Sequence, residues 1–237
     1  TYSWVVFILS MLVSEFPWHL ISAVLTYFTF YYPAGFYRNT FPTNSTAERG
    51  ALFFLLIVML YFFILTFSYM VVATFPDAQT ASNMCNVLFN VALSMAGVLS
   101  PKEALPGFWI FMYRVSPFTY LISGMLSTAV ADNDITCSDI ELLRFQSVPS
   151  ANMTCGDFLG PYAAATGGRV YNPLATSNCE FCVLSKTNAY LARIHAPLNE
   201  AWRNFGFMFV FVAFNICGAL FFYWLGRVPK KWNKKKQ

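Results

Sequence analysis

Gly50 to Pro76 reads GALFFLLIVMLYFFILTFSYMVVATFP, twenty-seven consecutive residues without a charge and rich in Phe and Leu. About 20 such residues suffice for a helix to cross the hydrocarbon of a bilayer. The stretch therefore predicts a transmembrane span and decides the fold class. Asp77 closes it. The next charge-free run, Ala78–Pro101, holds 24 residues, and a third, Asn204–Gly226, holds 23. Each predicts a further span. Toward the N-terminus, Tyr2–Tyr32 is apolar apart from a few polar residues, Glu15 and His19 among them, and contains Pro17. As one helix it would run about 46 Å, well beyond the ~30 Å core. The charge-free run Leu20–Tyr37 places this span over residues 14–33, with Glu15 near one interface.

The rest of the composition agrees. Of 237 residues, 57% are hydrophobic and 11% charged, against about 45–50% and about 25% in soluble domains. So few charges cannot clothe a soluble exterior around so much apolar surface. A soluble enzyme, a nucleic-acid binder and a disordered tail are all excluded. The net charge of +4 is concentrated: Arg227, Lys230, Lys231, Lys234, Lys235 and Lys236 lie within the last eleven positions, without an acidic residue. A lysine run directly after an apolar helix marks the cytosolic side. The chain begins at Thr1, already apolar by Trp4, with no basic n-region or cleavage site. It reads as the C-terminal piece of a longer protein.

Residues 104–128 are apolar but divided by Arg114 and Pro117, and neither half is long enough to cross. They predict an interfacial or re-entrant helix pair, shielded from lipid by neighbouring protein. Residues 130–201 then carry seven of the eleven acidic residues, with Gly, Pro and four cysteines. This is the signature of a folded loop in water. The division is 1–128 for the first three spans and the helix pair, 129–201 for the loop, and 202–237 for the last span and basic tail. With the tail cytosolic, parity puts 130–201 and the 33–48 loop outside. Cys137, Cys155, Cys179 and Cys182 then face the oxidising side. Both N-x-[ST] sequons, at Asn44 and Asn152, also fall outside.

Cys179-Glu180-Phe181-Cys182 is a CxxC, which serves as a redox dithiol, half of a zinc site or part of a disulfide frame. In an outside loop two structural disulfides are favoured. The nested pairing Cys137–Cys182 and Cys155–Cys179 is preferred, because a 179–182 bond closes too small a ring to staple the loop. No metal site is assigned. Glu15 and His19 are four apart on one helix face, the pattern of a proton relay, although an interfacial carboxylate needs no such role. Asn83, Asn86, Asn90 and Ser94, spaced 3, 4 and 4, form a polar stripe on the third span, with Phe89 beside it. Such amides either hold helices together or line a wet path. No GxxxxGK[ST] loop, HExxH or nucleophile elbow is present, and no catalytic residue is assigned.

Pro106–Tyr120 (PGFWIFMYRVSPFTY), Cys179–Cys182 (CEFC), Trp202–Gly206 (WRNFG) and Phe222–Lys231 (FYWLGRVPKK), with Ser14–Pro17 (SEFP) and Glu48–Phe53 (ERGALF), resemble the carboxy-terminal end of fungal pleiotropic drug resistance transporters. These are full-size ATP-binding-cassette proteins of the G subfamily, and the resemblance covers essentially the whole chain. It implies an all-α polytopic membrane protein: part of an ABC-2 type transmembrane domain with four spans, a re-entrant pair and a disulfide-stapled extracellular loop. The spans would be the last four of six in the second transmembrane domain, beginning just after a cytosolic coupling element. The implied activity is ATP-driven efflux of amphipathic xenobiotics, or of lipids, across the plasma membrane. ATP and Mg would be bound by nucleotide-binding domains that, like the first transmembrane domain, lie elsewhere in the full-length chain. Asn83, Asn86, Phe89, Asn90 and Ser94 would line the substrate path. Two rivals are a membrane thiol oxidoreductase using Cys179 and Cys182, and a proton-coupled transporter using Glu15 and His19.

Overall fold

The computed structural model describes residues 3–97, 102, 105–147 and 153–228. Helices α1 (Trp4–Tyr31), α2 (Thr46–Thr74) and α8 (Ala201–Arg227, preceded by a short turn from Leu198) are the long apolar elements. Among the described residues these three are long and apolar enough to cross a membrane. The protein is thus a multi-pass membrane protein. The third expected span differs. Helix α3 (Ala78–Ser94) has 17 residues, about 25 Å of rise. It starts on a true cap, with the Asp77 carboxylate accepting from the Thr80 N–H at 2.9 Å. It ends at Ser94, and three residues on Gly97 takes φ +91°, outside the helical region. Residues 98–101, the rest of that predicted span, lie outside the described residues.

Helix α2 is the keel. Half of its most apolar window is buried, against 6% in α1 and 17% in the last helix. Helix α1 runs antiparallel to α2, with Tyr31 against Phe53 at the end nearer the disulfide-bonded loop and Phe16 against Phe62 near mid-height. Helix α8 lies parallel to α2: Trp202 donates to Glu48 at one end, and Arg227 donates to the Val72 and Phe75 carbonyls at the other. The buried amides of Asn204 and Asn215 on α8 donate across helices to Ser123 Oγ (3.2 Å) and Thr66 Oγ1 (3.4 Å). These are the polar contacts that hold helices together where water is absent.

Helix α1 is continuous from Trp4, and Glu15 directly precedes Phe16, which packs on Phe62 near the middle of α2. Tyr27, Tyr31, Phe36 and Phe53 form an aromatic cluster at the other end of the pair.

The apolar run split by Arg114 and Pro117 forms α4 (Ile110–Val115) and α5 (Pro117–Val130), with the break at Ser116. Proline at N1 of α5 suits a helix start and cannot continue α4. Groups freed at the break find partners. Ser116 Oγ donates to the Ala92 carbonyl (2.7 Å), Thr119 Oγ1 to Tyr113 O (2.8 Å) and Tyr120 Oη to Arg114 O (2.9 Å). This is how irregular backbone survives at membrane depth. Helix α5 begins beside Phe63, at mid-height of α2, and runs to the N-terminal end of α2. The pair is therefore re-entrant.

Beyond α5 the chain folds a small sheet, β1 (Leu143–Ser147), β2 (Arg169–Val170) and β3 (Ser177–Cys182), antiparallel in the order β1-β3-β2. Helices α6 (Cys155–Thr166) and α7 (Thr187–Arg193) flank it. Thr154 and Asp157 close a capping box at the start of α6. Disulfides join Cys137 to Cys182 and Cys155 to Cys179, and Cys155, Cys179 and Cys182 are fully buried. The unit docks on the bundle through Arg49. That residue is 5% exposed; its side chain pairs with Asp132 and donates to the Ala131 carbonyl (2.8 Å). Asp132, at φ +59°, also accepts from Asn188 Nδ2 (2.8 Å).

Candidate functional site: the polar face of α3

Helix α3 meets the rest of the chain through one side only. Ala81 is buried, Cys85 lies 3.9 Å from Ser68 Oγ, and the Phe89 ring stands edge-on to Phe118 at 4.8 Å. Asn83, Asn86 and Asn90 occupy the other side and are exposed, while Ser94 is half-buried. Their hydrogen bonds stay on the helix. Gln79 donates to Asn83 Oδ1 (3.4 Å), Asn90 Nδ2 to the Asn86 carbonyl (2.8 Å) and Ser94 Oγ to the Asn90 carbonyl (2.8 Å). Among the described residues no other helix bonds these amides.

That contrasts with α8, where Asn204 and Asn215 are 3% exposed and bonded across helices. An amide left unpaired in hydrocarbon costs on the order of 2–7 kcal/mol. Asn83 and Asn90 each make one local bond, so their remaining donors and acceptors, with those of Asn86, are ill suited to lipid tails. They require water or a polar surface. Phe89 joins this face to a cavity of about 210 Å³ between α2, α3 and the re-entrant pair, walled by Phe63, Phe67, Met112, Pro117 and Phe118. Side by side, the arrangement offers an apolar chamber and a ladder of neutral hydrogen-bonding groups.

The remaining sequence candidates fall elsewhere. Asn44 stands in a left-handed turn two residues before α2, at the end of a short 3-10 segment, Phe36–Thr43. Asn152 lies outside the described residues. Cys179 and Cys182 are each bonded to a different partner, so the CxxC presents no dithiol. His19 rests against the Tyr61 ring at 6.1 Å and Glu15 is exposed. No ion pair joins the two among the described residues. The residues missed in the sequence are Arg49, Asp132 and Asn188. An arginine at the edge of a span reads as an interfacial charge, and its partner lies 83 positions away. The carboxyl of Asp132 is held below the ordinary carboxylate range by the Asn188 amide first and then by the Arg49 guanidinium.

Comparison with known proteins supplies the context. The ABC-2 type transporter family profile matches residues 1–130. The chain is 50% identical over 236 residues to the ABC multidrug transporter AFR2 of Cryptococcus neoformans var. grubii, covering all of this chain and 15% of that protein. It is 48% identical over 230 residues to the ABC multidrug transporter C of Aspergillus fumigatus, covering 97% of this chain and 15% of that protein. Identity to the ZEB2-regulated ABC transporter 1 of Gibberella zeae is 45% over 236 residues, all of this chain and 16% of that protein. The chain thus spans about a sixth of the length of these relatives.

Proposed function

This chain belongs to the ABC-2 type transporter family, and from that premise we propose that it forms one wall of the substrate path of an exporter of amphipathic xenobiotics. Asn83, Asn86 and Asn90 are the polar anchors of that wall, Ser94 continues them, and Phe89 supplies the aromatic surface. The observation that carries this reading is the contrast between helices: the amides of α8 are buried and bonded to neighbours, and those of α3 are neither. Apolar walls with a few adaptable anchors suit recognition of many unrelated ligands. The names of the relatives, multidrug transporters, support a drug as cargo.

In this reading the opposite wall is the first transmembrane domain of the same full-length protein. The energy source is ATP with Mg, bound by nucleotide-binding domains beyond this chain. The loop and its disulfides face the outside of the plasma membrane, and the basic tail faces the cytosol. Asn44 and Asn152 are then open to glycan transfer.

The test is a resistance profile over several unrelated drugs, normalised to surface expression, in the full-length transporter. Asn90→Leu removes one anchor at similar volume. A hydrogen bond is worth roughly 0.5–1.5 kcal/mol net, so resistance should fall a few-fold, by amounts that differ between drugs. Asn215→Leu should lower expression and affect all drugs alike. If Asn90→Leu also changes every drug in step with expression, the stripe is packing and not path.

A further inference from the structure

A second cavity lies at the basic end of the bundle, away from the α3 face. It encloses about 320 Å³ between the start of α1, the last turns of α2 and the end of α8. Phe7, Ile8, Met11 and Val72 wall it with hydrocarbon. Tyr69, Tyr223 and Arg227 are its lining residues that carry polar groups. Among the described residues no acidic residue lines it, although Glu15 lies within electrostatic reach of Tyr69. Arg227 is exposed yet fixed. Its Nη2 donates to the Val72 carbonyl (3.3 Å) and the Phe75 carbonyl (3.1 Å), and its carbon stands 5.9 Å from the Tyr223 ring centre. Trp4 stacks on the far side of this corner, 6.3 Å from Tyr223. Of the five N–H donors of an arginine, Nε and both of Nη1 remain uncommitted among the described residues.

A chamber this apolar does not hold water well, and the held guanidinium beside it offers a fixed positive charge with free donors to an anionic head. Head and chamber together fit an amphiphile with a negative head. The sequence adds charge of the same sign just beyond, at Lys230, Lys231 and Lys234–Lys236. Such clusters beside a span attract anionic lipid surfaces. We propose that this cavity binds one anionic phospholipid, its phosphate on Arg227 and the upper part of an acyl chain among Phe7, Ile8, Met11 and Val72. The ligand is a lipid of the leaflet on the tail's side of the membrane. Under the orientation proposed above, that leaflet is the cytosolic one.

The experiment uses the full-length transporter in nanodiscs of phosphatidylcholine alone, or of three parts phosphatidylcholine to one part phosphatidylserine, with retained lipid read by native mass spectrometry. Nanodiscs expose both faces, so the result does not depend on which side faces the cytosol and is independent of the drug-path reading. The unaltered protein should retain a phosphatidylserine that Arg227→Gln binds at least about fivefold more weakly, while retention of phosphatidylcholine stays unchanged. Ala73→Phe, which fills the chamber and leaves the charge, should also lose it, and Arg227→Lys should keep most of it even if Arg227→Gln fails to fold. Soluble glycerol phosphate should not displace it. Equal retention by Arg227→Gln or Ala73→Phe, loss of all binding in a folded Arg227→Lys, or displacement by glycerol phosphate would each overturn the proposal.

Discussion

The ion pair that docks the outer unit onto α2 is asymmetric, and the two ways of breaking it should not cost the same. Arg49 is buried, with side-chain exposure of 6%, while the Asp132 side chain is 37% exposed. Asp132→Asn removes the negative charge but suits the same φ, because Asn tolerates left-handed backbone. It leaves the buried guanidinium with neutral acceptors only, the Ala131 carbonyl and the introduced amide oxygen. Stranding a buried charge costs on the order of 3–5 kcal/mol. Arg49→Met removes the buried charge instead. Asp132 then relaxes into water and keeps its bond from Asn188, and the Ala131 carbonyl keeps its bond from Asn133 Nδ2 at 3.0 Å. That loss should be about 1–2 kcal/mol, the range of a partly solvated charge-assisted contact. Thermal unfolding of the full-length transporter, followed by loss of its monodisperse elution peak, measures both. Asp132→Asn should be the worse by a clear margin, and the double variant should recover much of its deficit. An Arg49→Met deficit equal to or larger than that of Asp132→Asn would refute the burial argument.

The same pair sets a pH dependence: a carboxyl depressed by folding stabilises fully above the ordinary carboxylate pKa of about 3.9 and loses its contribution as pH falls through the folded value. The difference in melting temperature between the unaltered protein and Asp132→Asn should therefore be flat from neutral pH to about 5 and shrink below about 4. Opening either disulfide should cost about 3–4 kcal/mol and retain the transporter in the secretory pathway; with separations of 45 and 24 residues, Cys137→Ser should show lower surface expression than Cys155→Ser, and normal surface levels for both would contradict this. At Gly124 an added Cβ would stand 3.1 Å from Leu56 Cδ1, so Gly124→Val should destabilise by about 1–3 kcal/mol. Gly206→Ala, which meets nothing within 4 Å, should be neutral or mildly stabilising in the same melt.

What could be read in advance follows from the range of each interaction. The long spans were legible because a charge-free run is a local property. The re-entrant break was legible because Arg114 and Pro117 mark it in the sequence itself. Four spans were expected; among the described residues three helices are long and apolar enough to cross, and α3 is helical over the 17 residues to Ser94. The asparagine spacing put Asn83, Asn86 and Asn90 on one face, and that is where they lie. Which way the face turns depends on α2 and α5, through Ala81, Cys85 and Phe89, and no periodicity carries that. The Arg49 network was illegible for the same reason, since its partner Asp132 lies 83 positions away.

Both disulfides end on one strand, and this has a consequence in the order of synthesis. Cys137 and Cys155 are made first, and they are not each other's partners. Between their emergence and that of β3, the two thiols with the earliest opportunity to react are the wrong pair. Correct closure waits for Cys179 and Cys182, and Ala201, where α8 begins, follows Cys182 by only 19 positions. Oxidation of the outer unit and arrival of the last helix are thus almost simultaneous events for the nascent chain. A ribosome that stops anywhere from 156 to 178 leaves two thiols with no legitimate mate and α2 without its parallel neighbour, so incomplete chains carry both marks that quality control recognises.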